Sequence, residues 1–397
     1  MKTSFSKAVN TRPRAGSGSA TRMVDRAPSE RVVWGASLFS ACGALPNHLM
    51  PLLVALWLAG GQANVESVGW VSSAYYFGVL ISLLALPMLR MSNPHGALIV
   101  FASAVLPVVF WLSGSRSGLT LAAAWLAGGL CAGLMQYVGS VVCAGAQDKR
   151  GAFAIRLATS LLLAGCVTLL VAAAAWVNAN WVTPATVLVE LLFLLLALYL
   201  LGYHAGTSQL SRPATSSAPE LMSVPWLGVL LLFCLFVGQI GFYAFALKGA
   251  AESVDTPIAQ LLPALAVSKV LVGFIVMVWV KRGRDLVRLL GFGKTGLLAG
   301  GAVFLISSSG HWWVILLALA IWELSFNSLV AAFLGEMAKL NPLFVGMWSS
   351  IPVFLGSAVG PILHGWLISG SLAFGFVVFA IATPLLPAVW VFRQRRA

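Results

Sequence analysis

Charge is what this chain has least of. Only 9% of its 397 residues are charged, with 11 Asp and Glu against 24 Lys and Arg. An ordinary globular chain carries roughly 25%, so a soluble surface of this size could not be covered. Cysteine pairs at metal-binding spacing are missing too. Cys42, Cys131, Cys143, Cys166 and Cys234 all sit inside apolar runs with no CxxC among them, which removes a zinc or disulfide framework and leaves small packing residues. The first thirty residues hold no apolar core segment, so a secretory signal peptide is not expected. No nucleophile elbow, phosphate loop, metal-ligand spacing or paired catalytic carboxylates occurs anywhere, and neither an enzyme nor a bound cofactor is expected.

What the chain does have is apolar length. Hydrophobic residues make up 60% of it and the mean hydropathy is +0.94. A spanning helix needs about twenty mostly apolar residues. Twelve such runs can be traced, at about 33–59, 65–89, 96–114, 118–145, 153–177, 181–203, 224–248, 256–280, 287–308, 311–335, 343–369 and 371–392. The solvent for most of this protein is expected to be lipid.

Placement of the basic residues tests that count. With a cytoplasmic N-terminus, twenty of the 24 cations fall in the tails and alternate loops on the cytoplasmic side, counting Arg156 and Arg288 at the adjoining run ends with the loops. Only Arg116 and Lys248 lie opposite, and Lys269 and Lys294 fall inside runs. That asymmetry follows the positive-inside rule, and one missed helix would scramble it. The net charge of +13 is thus explained by topology, and no nucleic-acid partner is expected. The reading is an all-α membrane protein with twelve transmembrane helices and both termini in the cytoplasm, in a bacterial inner membrane.

Residues 204–223, rich in Ser, Thr, Pro and Ala, form the longest internal connection. They divide the chain into a disordered cytoplasmic tail (1–31), a six-helix bundle (32–203), this linker (204–223), a second six-helix bundle (224–393) and a short tail (394–397). Two local stretches add detail. Gln147-Asp148-Lys149-Arg150-Gly151 is a short charged turn after the fourth run. The eleventh run contains Gly356, Gly360 and Pro361, where the glycines let a neighbouring backbone approach and the proline bends the helix.

This 6+6 layout, with those two stretches, resembles the major facilitator superfamily. There are departures. The 89–96 connection keeps Arg90 but has no acidic residue, the fourth run has no arginine, and the fifth has no Gly-Pro. The resemblance implies two pseudo-symmetric bundles whose first, fourth, seventh and tenth helices line a central cavity. It also implies Gly356, Gly360 and Pro361 as a conformational hinge, and Arg90 and Arg150 as a cytoplasmic gate.

Polar stripes fall on those four runs. They are Ser37, Ser40, Asn47 and His48; Gly129, Gly133, Gln136 and Ser140; Gln239 and Tyr243; and Glu323 and Asn327 beside Trp322. A charge at the bilayer centre costs at least roughly 2.5–3.5 kcal/mol on insertion scales, so Glu190, Lys269 and Glu323 stand out. Glu323 is the leading candidate for carrying a proton, with an ion pair to Lys269 as the structural alternative. Lys269 could instead hold a substrate carboxylate. His48, between Pro46 and Pro51, sits where loosened backbone can serve a ligand. Glu190 is expected to be buried and hydrogen-bonded or protonated, and His364 solvated or capping. Tyr75, Tyr76, Tyr137, Trp125 and Trp322 are expected chiefly to pack.

Together these point to a monomeric secondary transporter, coupled to protons rather than sodium, for a small organic solute, with export slightly favoured. The rival reading is a non-transporting membrane sensor or assembly factor of the same fold. The departures in the 89–96 connection favour it.

Overall fold

The computed structural model of the protein describes residues 28–88, 96–146, 149–177, 182–202, 226–254, 258–282, 286–340, 350–370 and 373–394. Residues 1–27 and 395–397 of the tails, the 204–223 linker and Arg90 therefore lie outside the described residues. The expected N-terminal tail is shorter than 1–31, because the first helix already begins at Glu30.

Every described element is helical. The first half contains α1 (Glu30–Ala59), α2 (Val65–Met88), α3 (Gly96–Ser113), α4 (Gly118–Gly145), α5 (Lys149–Val177) and α6 (Val182–Leu201). The second contains α7 (Trp226–Ser253), α8 (Ile258–Lys281), α9 (Leu286–Leu290), α10 (Phe292–Ser308), α11 (Trp312–Leu340), α12 (Ser350–Ser369), α13 (Ala373–Ala382) and α14 (Leu386–Gln394). Among the described residues ten spans are long and apolar enough to cross a membrane, the last running through α13 and α14. Two shorter apolar helices, in α3 and α10, are consistent with the expected twelve. The protein is an integral multi-pass membrane protein.

Two expected runs are interrupted. The ninth is split between α9 and α10 by Gly291, whose φ of 83° belongs to the left-handed region that glycine adopts without strain. The twelfth tightens into a 3-10 turn, Thr383–Leu385, where Pro384 has no N–H to give an α-helical ladder. The fifth begins earlier than its apolar pattern, at Lys149, because a helix can continue into polar sequence beyond the hydrocarbon.

Exposure is distributed as a lipid solvent demands. On α6, Leu188, Leu192, Leu195 and Tyr199 are exposed, as are Phe101 and Trp111 on α3 and Leu271 and Phe274 on α8. Ser37, Ser40, Gln239, Lys269 and Glu323 are buried instead. At the start of α1, Arg31 Nη2 donates to the Tyr199 carbonyl at 2.8 Å and its guanidinium lies 4.9 Å from that ring, tying α1 to the end of α6.

Within the first half α2 packs closely on α4, and α1 touches α4, α5 and α6; within the second, α7 packs on α12 and α10 on α11. The halves meet along two long seams, α2 against α12 and α5 against α8, with α1 touching α7 between them. Small residues permit these approaches. Gly69 of α2 lies on the Pro361 carbonyl of α12, and Gly165 of α5 lies on Ala266 and Val270 of α8.

Glycines correct one expectation about α4. Gly129 and Gly133 do not line a cavity: a Cβ there would strike Tyr75 and Val79 of α2. Gly129→Ala is expected to cost about 1–3 kcal/mol through overpacking, because the obstacle is backbone. A lowered melting temperature in detergent would show it, and an unchanged one would mean that the α2–α4 contact is looser than described.

Candidate functional site

The prolines of α1 shape the site first. Pro46 and Pro51 both lie inside this helix, and each removes a backbone donor. Polar groups gather on the loosened stretch. Tyr75 Oη donates to the Gly43 carbonyl at 2.7 Å, and Gln136 Nε2 reaches the same oxygen at 3.4 Å. Tyr76 Oη donates to Asn47 Oδ1 at 2.7 Å.

From the other half, three helices converge on the same level. Lys269 of α8 is fully buried and forms an ion pair with Glu323 of α11, which is 2% exposed. Lys269 Nζ also donates to Tyr243 Oη of α7. Tyr243 has one hydroxyl hydrogen. It lies 2.9 Å from the His48 carbonyl of α1 and 3.4 Å from Glu323 Oε1, so geometry favours donation to His48. This bond joins the two halves. The His48 imidazole lies within electrostatic reach of both Lys269 and Glu323. Asn327 Nδ2, one turn beyond Glu323, donates to Glu323 Oε2 at 3.2 Å.

Rings hold this knot in place. Tyr243 stacks on Trp322 at 4.6 Å between centroids, and Trp322 stacks on Phe326 at 5.1 Å. Lys269 Nζ stands 5.0 Å from the centre of the Tyr243 ring, adding a cation–π contact. Taking two charges out of water costs several kcal/mol per ion, and the extra hydrogen bonds from Asn327 and to Tyr243 offset part of it.

Five expected pathway residues (Glu323, Lys269, Tyr243, Asn327 and His48) thus meet at one place, and Asn47 and Gln136 lie on the adjoining faces of α1 and α4. Gln239 does not join them. It is fully buried within the second half, receiving the Trp322 indole N–H at 2.8 Å and donating to the Ala380 carbonyl at 2.6 Å. Gly356 and Gly360 face Phe233, Val237 and Gly241 of α7, which is the close approach expected of them, and Pro361 lies inside α12. Arg150 belongs to α5, but its side chain is outside the described residues.

Three other residues depart from expectation. His364 is neither solvated nor capping: it is buried between the rings of Phe245 and Phe376 at 4.7 and 4.3 Å, and among the described residues Nδ1 has no hydrogen-bond partner. Glu190 is fully buried as expected, but among the described residues neither carboxyl oxygen has a hydrogen-bond partner, which departs from the hydrogen-bonded alternative and not from the protonated one. Arg156, counted among loop cations in the sequence, lies within α5 and turns inward. Its Nε donates to Ser40 Oγ at 2.7 Å, and its Nη2 donates to the Gln136 carbonyl at 3.4 Å. Its position in the first turn of the apolar run hid it, because the helix begins a full turn earlier than that run.

No family model matches the sequence, and no curated protein matches it significantly. Solved structures do match in shape. The nucleoside transporter NupG, in a point-mutant form, superposes with a TM-score of 0.69 over 90% of this chain and 99% of its own, at 11% identity. The human organic anion transporter MFSD10 (TETRAN) gives 0.62 over 90% of this chain and 97% of its own, at 16% identity. The near-complete overlap with both transporter structures gives this chain the fold that they share, the one that the resemblance to the major facilitator superfamily implies.

Proposed function

We propose that the protein is a secondary transporter of the major facilitator type. It moves a small organic solute by alternating access between two rocking halves, coupled to protons, with both termini in the cytoplasm and export favoured over import. The observation that carries this reading is the Lys269–Glu323–Tyr243 knot, tied across the halves by the Tyr243 bond to the His48 carbonyl. A buried carboxylate that can exchange a lysine for a proton changes the strength of that tie. Proton uptake on Glu323 releases Lys269 and weakens the hold on Tyr243, so charge state and opening of the halves become linked. The nucleoside transporter and the organic anion transporter that share this shape support a solute of modest size.

Reconstituted vesicles test it. Purified protein, given a pool of small organic solutes on one side and a pH-sensitive dye inside, should move protons when a substrate is present. If no solute changes the internal pH and the cellular role survives Glu323→Gln, the chain is a sensor or assembly factor with a transporter's shape.

A further inference from the structure

Arg156 is an interior cation with neutral partners only. Among the described residues the ion pairs are Lys248–Glu252 and Lys269–Glu323, and the guanidinium contacts a serine hydroxyl and a backbone carbonyl. Of its five N–H donors two are engaged. A cation at membrane depth normally faces a carboxylate or a water-filled space. Arg156 is only part-buried and its guanidinium lies against α1 and α4, and among the described residues its remaining donors have no protein partner.

We infer that Arg156 is the anchor for an anionic group of the transported solute, specifically a single carboxylate. The planar fork accepts a carboxylate in two parallel hydrogen bonds. Ser40 Oγ and Gln136, whose Nε2 reaches the Gly43 carbonyl one turn along α1, hold the guanidinium in place and offer neutral donors beside it. One arginine balances one negative charge, whereas a dianion would leave a net charge without a partner. Ser40 precedes His48 by two turns of α1, which is about 12 Å at 1.5 Å per residue. The anion site and the Lys269–Glu323 knot are therefore separate levels of one pathway. Carboxylate binding occurs at the arginine while proton exchange occurs at the knot. The inference rests on the transporter reading and names its substrate class.

Binding to the full-length protein in an uncharged detergent tests it, read as the ligand-induced rise in melting temperature. The probes are benzoate, its uncharged isostere benzamide, and phenyl phosphate. Benzoate should saturate with an affinity at least tenfold above benzamide and above phenyl phosphate. Arg156→Gln should erase the preference for benzoate, and Arg156→Lys, which keeps the charge and loses the fork, should keep part of it. If the glutamine variant does not fold, the lysine variant carries the comparison through a several-fold loss. An equal response to benzoate and benzamide, no response to benzoate, or benzoate binding untouched by either substitution overturns the assignment. Tighter phenyl phosphate binding overturns the single-carboxylate class. Proton-coupled flux of a neutral solute without carboxylate preference would remove this site and leave the transporter standing; carboxylate binding without any flux would do the reverse.

Discussion

Glu323→Gln is expected to abolish solute-coupled proton movement while leaving a destabilised protein. Glutamine has nearly the shape of glutamate and no charge, so Lys269 is left fully buried with no carboxylate beside it. Removing one member of a buried pair typically costs about 3–5 kcal/mol, and Lys269→Met should cost a similar amount from the other side. The double variant Lys269→Met with Glu323→Gln has neither charge and should regain most of the lost melting temperature. Flux should not return, because no titrating carboxylate remains at this level. Recovery of both stability and flux in the double variant would make the pair a structural brace. Full stability in each single variant would mean that the two charges do not depend on each other.

Tyr243→Phe is expected to act through the equilibrium between conformations. The phenol oxygen accepts from Lys269 and donates to the His48 carbonyl, so its loss removes a bond within the second half and the bond between halves. A hydrogen bond contributes about 0.5–1.5 kcal/mol net, and more when a charged group takes part. Since 1.4 kcal/mol is tenfold in an equilibrium, the closed arrangement of α1 against α7 should lose roughly tenfold in population. The ring stays, so stacking on Trp322 is preserved and the fold should hold. The measurement is the reactivity of a cysteine placed at Asn47 towards a water-soluble maleimide, which should rise several-fold in the variant. An unchanged rate would show that the cross-half bond is not holding the gate.

Much of this architecture is legible in the sequence for a simple reason. In lipid the backbone must satisfy its own hydrogen bonds, so apolar length and loop charge locate each helix without help from tertiary contacts. Glu323, Lys269 and His48 are visible by the same logic, since a charge inside an apolar run is costly enough to stand out. Facing is harder to read. Gly129 and Gly133 share a helical stripe with Gln136, yet they turn to α2 because glycine serves close packing as readily as a cavity wall. Gln239 shares a stripe with Tyr243, but its amide is taken up by Trp322, Ala380 and Thr383. Arg156 is the reverse case. Near the end of an apolar run a cation reads as a loop residue, and only the direction of its side chain, towards Ser40 and Gln136, shows that it belongs to the interior.

The proposed transport cycle requires the two halves to rock about the knot as Glu323 changes charge. Paired spin labels measure this directly in reconstituted protein, with one pair at Asn64 and Glu252 and the other at Glu30 and Arg282. Asn64 and Glu252 lie at one end of the bundle, beyond the seam where Gly365 meets Val65, and Glu30 and Arg282 lie at the other end. On acidification the two distances should change in opposite senses, and Glu323→Gln should hold the protein in the low-pH distribution at every pH. Distances that stay fixed, or that change together, would contradict alternating access about this site.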